Sequence, residues 1–419
     1  MKKLKKLSIL LSMLLVFVGV LSGCSKNEEV NLEELEKETS NEIKGEIVFW
    51  HGWSGAEEET LKEAIAKFED KYPEAKVTAV PVVFEQLQDK LKASMQAGES
   101  PDLFLGPNDW VGVFATLNQI EPLDTYLADV KNDYIPSGLE AGTFNGRLYA
   151  LPESIESPVL IYNADLIKEA PKTTEELIKL AVENTNEAEG KYGFVMDISN
   201  FYFNKGFLAG YGATIFADEN ASIGFENEAT VNFLNFLNTL RNEKKVMPKE
   251  VDYNVMMTLF TEGKAAMIIN GPWSFGDIDK SGINWRAANY PVISETNKEA
   301  QPFMGGKMLF LPKGAKNKEG SVEFMKFITS PEISKLFADK AGHVPANKNV
   351  DLGDNWKIKA IQEQVKFATP IPSIPEMAQV WDPAKVMVDE VLSGKSKPEA
   401  AVENARNTMI DKIKEMRGK

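Results

Sequence analysis

The chain has 419 residues, more than one hydrophobic core usually organises, so two or more domains are expected. Its composition, 43% hydrophobic and 26% charged, is that of a soluble globular protein. The formal charge of -15 argues against nucleic acid or anionic lipid as a partner of the folded part, because neither is drawn to a negative field, and leaves neutral ligands open.

Residues 1–23 read as a secretory leader. Lys2, Lys3, Lys5 and Lys6 precede an apolar run from Leu7 to Leu21 that is too short to span a bilayer comfortably and ends in small residues. Its loss takes four lysines with it and leaves the mature chain at -19. The junction Leu21-Ser22-Gly23-Cys24 resembles a bacterial lipobox, which implies cleavage before Cys24 and diacylglycerol on its sulfur; two acyl chains suffice for stable anchoring. Cys24 is the single cysteine, so no intrachain disulfide forms despite export. Residues 24–44 carry seven glutamates and three lysines and read as an acidic flexible tether, too polar to bury a core.

Glu46 to Trp50 is then a first strand, followed by the loop His51-Gly52-Trp53-Ser54-Gly55 and a helix from Glu57 to Lys71 with apolar residues at Leu61, Ala64, Ile65 and Phe68. A second strand over Lys76 to Val83, a helix over Phe84 to Ala97 and a short strand over Pro101 to Leu105 complete a β-α-β-α-β alternation. That order predicts parallel strands with their strand-to-helix loops on one edge. Trp53, Asp109 and Trp110 fall on two of those loops and are candidates for one wall of a cleft.

Asn145-Gly146 between short apolar runs predicts a type I′ hairpin. The segment Pro152 to Pro158 reads as a linker, Thr173 and Glu176 as a capping box, and Asn200-Phe201-Tyr202-Phe203 as a polar-then-aromatic cluster opening an apolar helix. Five apolar side chains from Ala265 to Ile269 suit a buried strand, broken by Asn270-Gly271; Pro272 suits the first helical position. Trp273 therefore sits on a first helical turn past the carboxyl end of a strand, where open α/β sheets bind ligands and where its ring offers a flat apolar face. Gly305-Gly306 introduces a strand over Lys307 to Leu311, and a helix from Ser321 to Ile328 stops before Pro331. A largely helical tail carries Trp381.

From Gly45 to Lys412 the chain resembles the family 1 extracellular solute-binding proteins of ABC transporters, in the maltose/maltodextrin-binding branch. The resemblance rests on Pro101-Asp102, Asn145-Gly146 with Tyr149, Leu160-Ile161-Tyr162-Asn163 with Asp165-Leu166, Gly263 to Met267, Asn270-Gly271-Pro272-Trp273, and Pro370-Ile371-Pro372 ahead of Met377 and Trp381. It implies an α/β, two-lobed periplasmic-binding-protein-like fold of class II, two α/β domains joined by a three-segment hinge near Ser154 to Glu156, Phe303 to Gly306 and Thr329 to Pro331. Residues 45–155 and 305–328 would form the N-terminal lobe, and residues 156–304 and 329–419 the C-terminal lobe. Residue by residue it implies ligand contacts at Trp273 and Trp381, where aromatic rings stack on glucose units, at Tyr202 and Phe203, at Glu156 by the hinge, and at Asp109. Where the family's maltose binder has a Trp this chain has Gly106, where it has an Arg after the aspartate this chain has Trp110, and its acid and lysine in the first loop are replaced by Trp53-Ser54.

A neutral sugar presents hydroxyl edges and apolar C–H faces, so it needs carboxylates or amides at the rim and aromatic planes against its rings. Asp109 and Glu156 offer the first; Trp53, Trp110, Tyr202, Trp273 and Trp381 offer the second. The expected function is capture of a malto-oligosaccharide by closure of two lobes and delivery to ABC permease subunits, by a monomer held on the outer face of the cell membrane through Cys24. No cofactor, metal or nucleic acid is expected: there are only two histidines, His51 and His343, and no P-loop or dinucleotide fingerprint. The alternatives are a binder of another oligosaccharide, sugar alcohol or peptide, and a carbohydrate-cleaving lipoprotein, since carboxylates are plentiful.

Overall fold

The computed structural model describes residues 43–218, 220–225 and 228–418; the leader, Cys24 and nearly all of the acidic tether lie outside the described residues. Among the described residues no helix is long and apolar enough to cross a membrane.

The α/β fold has two lobes, each organised by its own sheet. The strands in chain order are β1 (Gly45–His51), β2 (Ala75–Pro81), β3 (Leu103–Pro107), β4 (Thr143–Phe144), β5 (Arg147–Leu148), β6 (Ala150–Glu156), β7 (Val159–Asn163), β8 (Tyr192–Val195), β9 (Ala265–Asn270), β10 (Trp285–Ala288), β11 (Phe303–Phe310), β12 (Val344–Pro345) and β13 (Thr369–Pro370). The larger sheet runs β12-β6-β11-β3-β1-β2, with β13 beside β11. Its β1 pairs in parallel with β2 and β3, as the alternation predicts, whereas β11 runs antiparallel to β3 and β6. Successive side chains of a strand point to opposite faces, and the two faces carry separate cores. Ile47, Phe49, Leu103, Leu105 and Leu309 lie on one face, and Phe104, Met308 and Phe310 on the other.

The smaller sheet runs β10-β7-β9-β8. All six residues of β9 are buried, as its continuous apolar run requires of a strand flanked on both sides. The predicted hairpin is present: β4 pairs with β5, and Asn145 and Gly146 have φ of 48° and 76°, the positive values that a type I′ turn demands. Thr173 caps the helix Thr174–Glu183 by accepting from Glu176 N at 3.2 Å, while the Glu176 carboxylate reaches back to Lys172 N at 2.7 Å.

Two segments differ from expectation. The linker read into Pro152 to Pro158 is mostly β6, a central strand; its prolines fit because Pro152 sits at a register shift in the pairing with β11, leaving Ser157-Pro158 to pass between the sheets. The chain also does not leave the first lobe at Thr329. Ile333, Phe337 and Ala341 of the helix Pro331–Ala341, with Ala346 after it, are buried in the core of the larger sheet, and β12 pairs with β6. Pro331 ends one helix only to begin another, the position where its missing N–H costs nothing.

Candidate functional site

Trp273 stands at the end of β9. Asn270 Oδ1 accepts from Gly271 N at 2.8 Å and fixes the turn into a 3-10 segment, Pro272–Ser274, followed by the helix Phe275–Ser281. The indole folds back over Gly271: a Cβ there would lie 2.1 Å from the ring, so only glycine permits this orientation. The ring is partly exposed and lies 5.9 Å from Tyr202 and 6.3 Å from Phe203.

Tyr202 opens the helix Phe201–Tyr211, whose cap Asn200 accepts from Tyr202 N at 3.1 Å. Its ring stacks on Phe303 at the start of β11, and its hydroxyl has no protein partner among the described residues. Burial, with Glu156 and Asp109 nearby, pushes the Tyr202 phenol well above its usual range, so it is a neutral hydroxyl able to donate. Phe203 is a core residue; its carbonyl accepts from the Tyr290 hydroxyl and its ring is covered. The helix Trp381–Leu392 begins with Trp381, half-buried against Phe201 and Phe303.

The first lobe supplies Asp109. Its Oδ2 accepts from Trp381 Nε1 at 3.1 Å, which joins the loop after β3 to the second lobe's helix. Burial raises the Asp109 carboxyl to about 6, with the Trp381 hydrogen bond pulling the other way. Beside it, Asn108 Nδ2 donates to Ile371 O at 3.1 Å, while its Oδ1 is buried with no protein partner among the described residues. A Cβ on Gly305 would meet both Asn108 Oδ1 and Tyr202 Oη, at 3.4 and 3.8 Å, so two unpaired polar atoms converge beside β11. Buried polar atoms without partners are costly, which makes this a place where a hydroxylated ligand recovers free energy.

Two aromatic residues expected to stack on ligand are instead covered by protein. Trp53, 3% exposed, packs on Phe337 and His343 with ring centroids at 5.0 and 5.7 Å, because the helix Pro331–Ala341 lies over that face. Trp110 is 6% exposed, and its ring fills the space a side chain at Gly106 would need, since a Cβ there would come within 2.3 Å of Trp110 Cε3. The Gly106 and Trp110 exchanges therefore compensate each other spatially. The outer face of Trp110 is taken by Phe84, nearly parallel at 14°.

Glu156, at the end of β6, belongs to a buried network. Lys307 Nζ pairs with Glu57 and lies 3.7 Å from Glu156. His343 bridges Glu153, at 2.9 Å from Nδ1, and Glu57, at 2.8 Å from Nε2. Burial alone would raise Glu57, but Lys307 and His343 hold its carboxyl below the usual range; burial and the neighbouring acids raise Glu156. Burial opposes the charge on Lys307 and on His343, and the surrounding carboxylates still hold both above their ordinary values.

Glu57 also lines a cavity of about 550 Å³ between the lobes, with Ser54 and Gly55 on one side and Tyr253, Met257, Trp273 and Asp277 on the other. Glu57, Lys307, Asn108 and Tyr253 were not singled out from the sequence. Glu57 was within reach, since it begins a helix on the same strand-to-helix edge as Trp53; Lys307, on a strand far along the chain, carried no local signal. Among the described residues no group of acids, histidines or cysteines is arranged to hold a metal ion.

The profile of the bacterial extracellular solute-binding protein family matches residues 63–369. The chain is 33% identical over 370 residues to a maltooligosaccharide ABC transporter solute-binding lipoprotein of Streptococcus pneumoniae, covering 85% of this chain and 86% of that one. It is 29% identical over 430 residues to a galactooligosaccharide-binding protein of Bacillus subtilis, covering 99% of each. Among solved structures it is similar to a maltose/maltodextrin-binding domain from Bdellovibrio bacteriovorus bound to maltotriose, with a TM-score of 0.84, 30% identity, and coverage of 88% of this chain and all of that one.

Proposed function

Because the chain belongs to the bacterial extracellular solute-binding protein family, a family of binders rather than enzymes, we propose that it captures a malto-oligosaccharide between its two lobes and delivers it to an ABC permease. The observation that carries this reading is the arrangement of Trp273, Tyr202 and Trp381 on one side of the gap facing Asp109, Asn108 and Glu57 on the other. Partly exposed rings suit the C–H faces of glucose units. Asp109 and Glu57 are acceptors for hydroxyls, and the neutral Tyr202 hydroxyl is a donor.

Ligand contacts drawn from both lobes exist only when the lobes approach, so binding shifts the population toward the closed form in proportion to that difference in affinity. In this reading the hinge consists of Ser157-Pro158, β11 and the segment after Ala346. The N-terminal lobe keeps residues 45–155 and 305–328 and gains the helix Pro331–Ala341 with β12. Cys24, once acylated, tethers the monomer to the outer face of the membrane through the acidic segment, beside its permease.

A galacto-oligosaccharide is the second reading, favoured by the full-length similarity to the Bacillus subtilis protein. Calorimetry against maltotriose, maltotetraose, galactotriose and a sugar alcohol separates the two. The proposal expects the malto-series to bind at least about tenfold tighter, a difference of roughly 1.4 kcal/mol. Tighter binding of galactotriose selects the second reading, and shortened products after incubation with maltotetraose select an enzyme.

A further inference from the structure

The helix Phe201–Tyr211 carries Tyr202 and, one turn on and on the same side, Lys205. Lys205 is 5% exposed, and among the described residues no carboxylate pairs with it. A buried ammonium without a countercharge is unfavourable unless its N–H groups are all used. Three acceptors surround this one: Gln301 O at 2.9 Å from Nζ, Thr369 Oγ1, and the face of the Phe303 ring, whose centroid lies 4.9 Å away. An ammonium has three N–H groups and fills all three acceptors, whereas a neutral amine has two and leaves one empty. The same acceptors belong to the parts on which the proposed site rests. Phe303 opens β11 and is itself buried, with the Tyr202 ring at 5.9 Å and the Trp381 ring at 5.5 Å. Gln301 leads into that strand, and Thr369 begins β13, which pairs with it at Phe303. Two residues beyond Thr369, Ile371 O accepts from Asn108, whose unpaired Oδ1 converges with Tyr202 Oη.

We infer that Lys205 is a positioning residue for the proposed sugar site: as an ammonium it holds Phe303 against Tyr202 and Trp381 and fastens β13 to the start of β11. This rests on the proposed function and deepens it, assigning the order of the stacking rings to a cation that lies behind them. Burial pushes the Lys205 ammonium down to about 7. On its own helix the other titratable groups are the phenols of Tyr202 and Tyr211, both raised and neutral. The elements packed on that helix bring Glu228, Lys307, and Asp382, Lys385, Asp389 and Glu390 of the helix Trp381–Leu392. The segments ahead of Gln301 and Thr369 bring Glu299 and Lys366, both exposed. None of these pulls on Lys205, and burial is the single cause of its shift. The form that fills all three acceptors is therefore present below about 7 and is lost as pH rises through that value.

The test is calorimetry of wild type, Lys205→Met and Lys205→Gln against maltotriose at about pH 5.5 and about pH 8.5, either side of that value, with thermal melting of each protein. Met keeps the apolar stem and Gln keeps a donor, and both remove the charge. At the lower pH both variants should bind about tenfold more weakly than wild type, and at the higher pH the difference should shrink to about threefold or less. Melting temperatures should stay within a few degrees of wild type, because the cost of a buried, uncompensated cation goes with its charge. Asp109 titrates in the same range, but it does so in all three proteins and cancels from the ratio. Wild-type affinity in the variants at the lower pH overturns the role of Lys205 and leaves the sugar site intact. So does a loss that is equal at both pH values, or one that comes only with a falling melting temperature. Failure of wild type to bind maltotriose overturns the site reading, and the role of Lys205 with it.

Discussion

Trp381 Nε1 and Asp109 Oδ2 meet at 3.1 Å across the gap, joining a helix of the second lobe to the loop after β3 in the first. Under the proposed function, a sugar hydroxyl that donates to Asp109 would compete with Trp381 Nε1 for the same carboxylate oxygen, while the face of the Trp381 ring stays available for stacking. Under that proposal, closure and binding would draw on the same two side chains.

Asp109 makes ligand-free stability depend on pH. Its folded-state value of about 6 lies above the ordinary 3.8, so its favourable contribution is full below about 3.8 and is lost as pH rises through about 6. Asp109→Asn keeps an acceptor for Trp381 and removes the buried charge. The variant should be more stable than wild type at pH 7.5, by at most about 3 kcal/mol, and the gain should shrink by pH 5. Urea denaturation at the two pH values reads this directly.

Two tryptophans from the same sequence class should part company. Trp53→Ala removes a core ring and should cost about 3–5 kcal/mol of stability. Trp273→Ala, at a partly exposed ring, should leave the melting temperature within a few degrees of wild type and weaken sugar affinity about tenfold or more. Melting curves and calorimetry on both variants check the pair.

Lys307 is the cation between Glu57 and Glu156, and Lys307→Met leaves those buried carboxylates facing each other. The expected cost is about 3–5 kcal/mol at neutral pH, relieved as pH falls and the acids protonate. In wild type, the Glu57 contribution is lost as pH falls through its lowered pKa, and that of His343 as pH rises through its raised one. The network should stabilise most between those limits, as urea midpoints from pH 4 to 9 will show.

The sequence disclosed what depends on neighbours along the chain. The Asn145-Gly146 hairpin, the Thr173 cap and the buried strand ahead of Trp273 are local, and each stands where its chemistry requires. Trp53 and Trp110 misled because a strand-to-helix loop fixes where a residue sits but not which side of it another element will cover. The covering element for Trp53 is a helix nearly three hundred positions on, and for Trp110 it is Phe84. The Glu57, Lys307 and His343 network was illegible for the same reason, since its members come from three distant segments.

Closure itself is open to small-angle scattering. Saturating maltotetraose should lower the radius of gyration relative to the ligand-free population, and Trp381→Phe, which cannot donate to Asp109, should enlarge the ligand-free radius.

The most direct test is the crystal structure of the protein with maltotriose. The account predicts glucose rings in van der Waals contact with Trp273 and Trp381, and hydroxyls within hydrogen-bonding distance of Asp109 and Tyr202 Oη. Sugar bound away from the gap, or a gap filled by protein with both indoles covered, would contradict it.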